Sequence, residues 1–344
     1  MPSSPTPVIL PDETAIAPSQ APASRIFALL WRVVLPEHVF LLLFVLMLAA
    51  LRAVYQPANW HGTHDFTIRT SFGILAALTS MAFFARLPAI ARGERSGLRA
   101  AASEGARAFH QWLPFSLCAL IYENLHDLTN LIRHDTFDDS LMALDHRIFG
   151  VQPTVWLEAH VVTPLLTDWM VISYGLYFFL PAALLLVAYR REDETRFRTL
   201  SVALLLVFLA GFLSYVSIPA IGPRYWLRDR YLVPVLRGRF FASDASQVFG
   251  ALEAVQRDCF PSLHTALSGL ALFYAFAWRR TLPGRGLWFA VYLPLVLSIW
   301  ASTIYLRQHW FVDVIGGWAL VAVVVTLAPA IVRLSAALRR RVLD

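Results

Sequence analysis

Residues 199–218 read TLSVALLLVFLAGFLSYVSI, a run of twenty positions without a charged side chain. An α-helix rises about 1.5 Å per residue, so this run spans about 30 Å, the thickness of the hydrocarbon core of a bilayer. Similar runs recur along the 344 residues, of which 58% are hydrophobic and 15% charged. Soluble chains contain about 25% charged residues, so this composition argues against a soluble globular protein. The sequence predicts an all-α integral membrane protein.

The lengths of the apolar runs and the breaks between them predict about eight transmembrane helices. We place these helices at residues 34–54, 70–90, 107–125, 166–189, 197–218, 262–278, 287–306 and 309–334. Residues 1–24 are rich in Pro, Ser, Thr and Ala, and they lack the basic start and short apolar core of a cleaved signal peptide. We expect them to form a disordered tail.

The basic residues predict the orientation in the membrane. The formal net charge is +6 and the chain contains no lysine, so arginine carries all the fixed positive charge. Short loops rich in arginine are retained in the cytoplasm. The arginines of the second, fourth and sixth connections and of the C-terminus are Arg86, Arg92, Arg95, Arg99, Arg107, Arg190, Arg191, Arg196, Arg198, Arg279, Arg280, Arg285, Arg333 and Arg339 to Arg341. With an even number of spans, both termini are predicted to be cytoplasmic, and the odd-numbered connections face the exterior.

The connection between the fifth and sixth spans breaks this charge rule, because it is exterior and rich in arginine. Most of these arginines fit an interfacial loop that contacts lipid headgroups. Arg224 differs, since the sequence Ile221-Gly222-Pro223-Arg224-Tyr225 follows a span directly and its glycine and proline constrain the backbone. A guanidinium group can donate two parallel hydrogen bonds to a phosphate. Arg224 is therefore a candidate anion ligand.

The sixth span begins with CFPSLHTA at residues 259–266. Proline is favoured in a first helical turn, where free backbone N–H groups and the Ser262 hydroxyl can bind an anion. His264 lies one turn inside and could meet the leaving group of that anion. The same sequence also fits a plain helix start with a packed imidazole.

A second polar stretch, STIYLRQHWFVD at residues 302–313, lies at the turn between the seventh and eighth spans. His309 and Asp313 are four positions apart, so they share a helix face, and the carboxylate can accept the Nδ1 proton and direct Nε2 outward. This arrangement predicts an oriented nucleophile, although a helix-capping ion pair would have the same spacing. Gly316 and Gly317 follow and favour close helix packing.

The orientation derived from arginine alone places both histidines on the exterior side. Two histidines, a carboxylate and one or two arginines suit phosphoryl transfer through a covalent phosphohistidine. In such a reaction the second histidine donates a proton and later accepts one.

These motifs resemble those of the type 2 phosphatidic acid phosphatase superfamily: Pro-Ser-Leu-His at 261–264, Ser-x6-His-x3-Asp from Ser302 to Asp313, and Gly-Pro-Arg upstream. The sequences CFPSLH, YLRQHW and LDHRIFG (144–150) are similar to the branch containing inositol phosphorylceramide synthases. The motifs cover residues 211–320, with weaker similarity back to about residue 120. The resemblance implies a six-helix phosphatase-type bundle within a catalytic domain at 111–344, preceded by N-terminal transmembrane helices at 25–110.

By this resemblance, His309 would be the nucleophile, Asp313 its orienting partner and His264 the general acid and base. Ser262 and Arg224 would bind phosphate. The chain departs from the superfamily pattern because it lacks the lysine of the first motif and has Thr303 where an arginine is usual. Phosphate binding would then rest on fewer cations, with Arg307 as a substitute.

Several weaker candidates remain. Tyr225, Tyr305, Glu123 and His126 could line a substrate pocket, although Glu123, His126 and Asp127 fit an interfacial helix anchor equally well. His61, His64 and Asp65 have a possible metal spacing but no further ligand nearby, which favours a solvated loop. Neither Cys118 nor Cys259 matches a metal or redox spacing, and we expect no metal or cofactor. Asp145 to His160 predicts an amphipathic helix lying on the membrane.

The expected function is transfer of a phosphate or phospho-headgroup from a lipid phosphoester to an alcohol, in a bacterial inner membrane with the site facing the periplasm. A lipid or polyprenyl phosphate phosphatase, with water as acceptor, is the enzymatic alternative. A multi-pass transporter is the non-enzymatic one, although neither internal repeats nor broken helices indicate it. Nucleic acid is not an expected partner, because the exterior arginines lie against lipid. Oligomeric state does not follow from the sequence.

Overall fold

The computed structural model describes residues 36–55, 65–92, 97–240 and 257–343. The α-helices are α1 (Pro36–Tyr55), α2 (Asp65–Phe84), α3 (Leu87–Ala91), α4 (Gly97–Ile132), α5 (Asp138–Phe149), α6 (Pro153–His160), α7 (Pro164–Gly175), α8 (Phe179–Arg190), α9 (Glu194–Ser217), α10 (Pro223–Trp226), α11 (Leu263–Ala277), α12 (Leu287–Tyr305) and α13 (Phe311–Leu343). In these ranges the only β-type pairing is an isolated bridge between Ala220 and Asp258. The all-α fold is confirmed, and the tail predicted at residues 1–24 lies outside the described residues.

Every predicted span falls on helical residues, but the span at 70–90 covers α2 and α3, the span at 166–189 covers α7 and α8, and the third lies inside the longer α4. Four segments are long and apolar enough to cross a membrane: Pro164–Arg190, Glu194–Ser217, Leu287–Tyr305 and Phe311–Arg341. Shorter apolar stretches occupy parts of α1, α2 and α11. The helical membrane character is thus supported, while the number of eight spans stays a prediction. The predicted domain boundary at residues 110 and 111 falls within α4, which runs through it without a break.

Helix α9 forms the centre of the molecule. In the most apolar stretch of α9, 67% of the residues are buried. The corresponding fraction is 22–33% in the other three membrane-length segments. It packs against α1, α4, α8, α11 and α13, and Leu200, Leu205 and Phe212 are fully enclosed. Large apolar side chains such as Leu42 and Phe179 instead point outward from the bundle. Exposed apolar surface of this extent is the pattern expected of helices that face lipid.

The arginine-rich connections meet at one end of the bundle. Arg86, Arg107 and Arg190 line one pocket there, and the Arg196 guanidinium donates to Thr281 Oγ1 over 2.8 Å. The N-termini of α11 and α13 lie at the opposite end because both helices cross the bundle. The arrangement agrees with the predicted grouping of the connections, while the side of the membrane that each end faces stays a prediction.

The predicted amphipathic helix from Asp145 to His160 is wrong in extent, because two helices occupy this region. Gly150 ends α5 in the left-handed conformation, with φ of 71°, and Pro153 begins α6. A left-handed glycine ends a helix and proline starts one well. The region therefore forms two short helices instead of one.

Glycine permits the close approach of α11 and α13, as the sequence predicts. A Cβ atom on Gly317 would lie 2.8 Å from the backbone oxygen of Ser262 and 2.9 Å from Cβ of Thr265. A side chain at this position would therefore push the two helices apart.

We expect Gly317→Ala to destabilise the protein by about 1–3 kcal/mol, because the new methyl group meets backbone that cannot turn away. Gly73→Ala in α2 is the matched control, since a Cβ there has no neighbour within 4 Å and alanine favours a helix. Thermal unfolding of both variants in detergent tests the difference. Equal melting temperatures for the two variants would contradict this packing.

Candidate active site

In the structure, the imidazole rings of the two candidate catalytic histidines lie close together. His264 lies in the first turn of α11 and His309 in the turn between α12 and α13. Their ring centroids are 5.6 Å apart, with an angle of 60° between the planes. This separation leaves room for one ring to attack a phosphoryl group while the other reaches the oxygen of the leaving group. The catalytic roles of the rings stay predictions.

Two tyrosines that sequence reasoning missed hold His264. Its ring centroid lies 3.9 Å from that of Tyr174 at an interplanar angle of 25°, and 3.9 Å from that of Tyr177 at 44°. Ring contacts fix the plane of an imidazole without using its nitrogens. Both nitrogens can therefore serve in proton transfer.

A backbone carbonyl orients His309. Its Nδ1 is 2.9 Å from the Cys259 oxygen but 3.5 Å from Asp313 Oδ2. A carbonyl oxygen only accepts, so Nδ1 donates, and in a neutral ring Nε2 then keeps its lone pair. The spacing of His309 and Asp313 predicted that this hydrogen bond goes to the carboxylate, whereas the shorter contact is to Cys259. With either acceptor, Nε2 of the neutral ring carries no proton.

Asp313 joins the two motifs. Its Oδ2 accepts from the Trp310 N–H over 2.7 Å and from the Cys259 thiol over 2.9 Å. Burial raises the pKa of Cys259 well above its ordinary value, so the thiol keeps its proton and donates. The backbone oxygen of Asp313 accepts from the Ser262 N–H over 3.0 Å. Asp313 therefore caps the N-terminus of its own helix, which was the alternative to its orienting a nucleophile, and it also lies beside His309.

Ser262 is fully buried and caps α11. Its Oγ accepts from the Thr265 N–H over 3.3 Å and lies 3.1 Å from Thr265 Oγ1. The Ser262 and Thr265 amides are therefore engaged inside the protein rather than free for an anion. A phosphate-binding role for the Ser262 hydroxyl stays a prediction.

Arg224 lies on α10, directly beside the His309 turn. Its N–H donates to the Arg307 oxygen over 2.8 Å, and its guanidinium lies 5.1 Å from the centroid of the Tyr225 ring. Gly222 permits this approach, because its φ is 81° and a Cβ there would lie 2.7 Å from the Gln308 oxygen. The loop thus brings the backbone of Arg224 next to the turn that carries His309. Phosphate binding by Arg224 and a place for Tyr225 in a substrate pocket stay predictions.

Arg307 has an acidic partner that the sequence did not suggest. Its guanidinium forms a 2.9 Å ion pair with Glu158, and both side chains are at most 4% exposed. It also donates to the Val233 oxygen over 2.9 Å and lies 3.8 Å from the centroid of the Tyr231 ring. Glu158 neutralises Arg307, so this arginine adds little net charge for phosphate binding. The predicted role of Arg307, to bind phosphate in place of the missing lysine and arginine, stays a prediction, and the ion pair with Glu158 argues against it.

The remaining candidates lie elsewhere. The Tyr305 hydroxyl is 2.9 Å from Thr167 Oγ1, so it braces the start of α7, and its predicted place in a substrate pocket is untested. Glu123 and His126 belong to α4, but their side chains lie outside the described residues. His61 and His64 also lie outside the described residues.

Four buried carboxylates that the sequence analysis did not single out as ligands hold the loops around the histidines. Each accepts two consecutive backbone N–H groups over 2.7–3.1 Å: Asp138 from Ile221 and Gly222, Asp145 from Phe311 and Val312, Glu158 from Leu232 and Val233, and Asp168 from Arg239 and Phe240. Asp138 accepts in addition from Trp310 Nε1 over 3.0 Å. The available signal was the recurrence of acids between residues 138 and 168, but their partners are distant in sequence.

Asp258, next to Cys259 in sequence, is a partly buried acid. Its Oδ2 accepts from the Tyr122 hydroxyl over 2.5 Å. Burial raises the pKa of Asp258, and the hydrogen bond from Tyr122 opposes that rise. This contact ties α4 to the start of the His264 motif.

We expect Asp138→Asn to lower the melting temperature, with a loss of about 1–3 kcal/mol. The amide would place N–H groups against the Ile221, Gly222 or Trp310 donors, leaving a buried polar group unpaired. Asp135→Asn is the control, because Asp135 is exposed. Differential scanning fluorimetry in detergent compares them, and an unchanged Asp138→Asn protein would show that this contact is dispensable.

We expect the Asp145 carboxyl group to make the free energy of unfolding depend on pH. Burial raises its pKa from 3.8 to about 6, so between about pH 4 and pH 6 the folded chain binds more protons than the unfolded chain. The free energy of unfolding contributed by this group therefore falls as the pH rises through that window and is constant above it. As the pH rises from about 4 to about 6, the free energy of unfolding of Asp145→Asn should therefore increase by about 1–3 kcal/mol relative to that of the wild type. A stability difference that does not vary with pH would refute the assignment.

The similarity of this chain to known proteins covers the region that contains the two histidine motifs. The family model of the PAP2 superfamily matches residues 139–327. A phosphoinositol dihydroceramide synthase from Bacteroides thetaiotaomicron is 24% identical over 269 residues, which cover 73% of this chain and 81% of that protein. No solved structure matches the chain. Because the matched region is more than half of the chain and contains both histidine motifs, the protein belongs to the PAP2 superfamily.

Proposed function

We propose that this protein is a membrane phosphotransferase that moves a phospho-headgroup from a lipid phosphodiester to a lipid alcohol through a phosphohistidine. The observation that carries the proposal is the pair of imidazoles from two helices with centroids 5.6 Å apart. The family supports an enzyme acting on lipid phosphoesters. The histidine mechanism and the choice of acceptor are our proposal.

In the proposed reaction, His309 Nε2 attacks phosphorus while His264 protonates the departing alcohol. The Cys259 carbonyl keeps the proton of His309 on Nδ1, so the lone pair of Nε2 stays available. In the second half-reaction His264 takes the proton of the incoming alcohol, whose oxygen attacks the phosphohistidine. One ring thus alternates between acid and base, as a two-step displacement requires.

The charge of the site favours a phosphodiester donor. The chain has no lysine, Thr303 stands where the superfamily usually has an arginine, and Glu158 neutralises Arg307. A phosphomonoester carries close to two negative charges near neutral pH, whereas a phosphodiester carries one. Fewer net cations suffice for the phosphodiester, and Arg224 is the predicted ligand for it.

Similarity to the Bacteroides relative supports the same assignment. That protein is named a phosphoinositol dihydroceramide synthase, so we propose a phosphoinositol lipid as donor and a ceramide-like alcohol as acceptor. Water in place of the alcohol would make the protein a hydrolase with the same histidine chemistry, and a lipid phosphatase where the donor is a phosphomonoester. Product analysis separates the two.

We expect purified protein to transfer labelled headgroup phosphate from phosphatidylinositol to added ceramide. His309→Ala should abolish turnover and His264→Ala should reduce it by about 10²–10⁴-fold. His134→Ala is the control, because this histidine is exposed in the α4–α5 loop. Chromatography of lipid and aqueous products measures the label.

The outcomes separate the alternatives. Label in a new lipid supports transfer, and label in water-soluble phosphate supports hydrolysis. Full activity of His309→Ala would overturn the nucleophile assignment. Absence of turnover with phosphatidylinositol, phosphatidic acid and polyprenyl phosphate alike would overturn the enzymatic proposal.

A further inference from the structure

Three side chains of different chemistry converge behind the predicted nucleophile. Cys259 Sγ, His309 Nδ1 and an Asp313 oxygen all lie within 4.8 Å of one another, and all three residues are buried. The sulfur is 2.9 Å from Asp313 Oδ2 and 3.5 Å from Nδ1, and Nδ1 is 3.5 Å from Oδ2. Thiolate, imidazole and carboxylate are the three ligand types that zinc uses in proteins.

These separations are close to those of a zinc site. Tetrahedral zinc with bonds of about 2.0–2.3 Å holds its ligand atoms about 3.3–3.6 Å apart. Two of the three separations already fall in this range. The third is shorter because the thiol proton now lies between sulfur and carboxylate, and it would open by about half an ångström when that proton leaves.

A second observation points to a ligand at the same place. Asp313 Oδ1 is buried and has no hydrogen-bond partner in the described part of the chain. Buried carboxylate oxygens normally have a donor or a cation beside them. The same carboxylate therefore has one oxygen, Oδ2, in contact with the sulfur and the imidazole, and a second, Oδ1, that is still unused as an acceptor.

We propose that Cys259, His309 and Asp313 form a zinc site whose occupation inactivates the enzyme. The inactivation, though not the binding, rests on the proposed function. Zinc here is an inhibitory ligand rather than a cofactor, and a water molecule completes its coordination.

The inactivation follows from the tautomer of His309. Zinc takes the lone pair of Nδ1, so the hydrogen bond from Nδ1 to the Cys259 oxygen breaks, the Nδ1 proton moves to Nε2 and the ring stays neutral. The Cys259 thiol releases its proton to solvent, and one proton leaves for each zinc bound. A protonated Nε2 has no lone pair with which to attack phosphorus, so the phosphohistidine cannot form.

Cobalt(II) tests binding without reference to activity. The full chain, purified in detergent and freed of metal with a chelator, is titrated with cobalt chloride. We expect a thiolate-to-cobalt charge-transfer band in the near ultraviolet that saturates at one equivalent and disappears when zinc is added. Cys259→Ser should lose the band, and Cys118→Ser should keep it, because Cys118 is a buried thiol on α4 outside this cluster.

Zinc inhibition of lipid turnover tests the consequence. The zinc concentration for half inhibition should be the same for wild type and Cys118→Ser, and at least about tenfold higher for Cys259→Ser, each relative to its own activity without zinc. A wild-type protein without the cobalt band, a band that survives Cys259→Ser, or equal inhibition of all three proteins would overturn the proposal. If the protein has no lipid turnover, the cobalt titration still decides whether the site binds metal.

Discussion

The arrangement of the site depends on carboxylates that each hold two consecutive backbone amides. All four acids come from the short segment between the start of α5 and the middle of α7, and their amides belong to the Gly222 loop, the loop at 232–240 and the start of α13. A backbone N–H without a partner is costly near a membrane, and a carboxylate satisfies two of them with charge-assisted hydrogen bonds. One segment therefore fixes the positions of the three others that surround the histidines.

Backbone contacts then connect the motifs directly. The Ser262 amide bonds to the Asp313 oxygen, the Arg224 amide bonds to the Arg307 oxygen, and the His309 ring bonds to the Cys259 oxygen. Each of the three motifs is thus positioned by the main chain of another. Such contacts require close approach, which is why Gly222 and Gly317 have no room for a side chain.

The sequence predicted the helices and the convergence of His264 and His309, because hydrophobic length and arginine placement report on transmembrane order. It did not predict which groups hold those rings. Glu158 pairs with Arg307 across 149 positions, and no periodicity records a contact of that separation. The Cys259 carbonyl was equally hidden, since a main-chain acceptor has no sequence signature. The length of the amphipathic helix was misjudged because the turn at Gly150 interrupts a pattern that continues on both sides.

Helix α5 has its polarity inverted relative to a helix on a soluble protein. Asp138 and Asp145 are buried beneath it, whereas Leu144 and Ile148 are 43% and 51% exposed. An apolar outer face holds such a helix at the boundary between hydrocarbon and water, with the carboxylates turned toward the site.

The histidine pair would deprotonate water and an alcohol by the same route, so it does not itself select transfer over hydrolysis. In the proposed mechanism, selection would come from position: a lipid alcohol anchored in the bilayer would be held at the depth of the proposed phosphohistidine, and this would raise its effective concentration there. The outer helices, more than the two histidines, would then decide which acceptor is used.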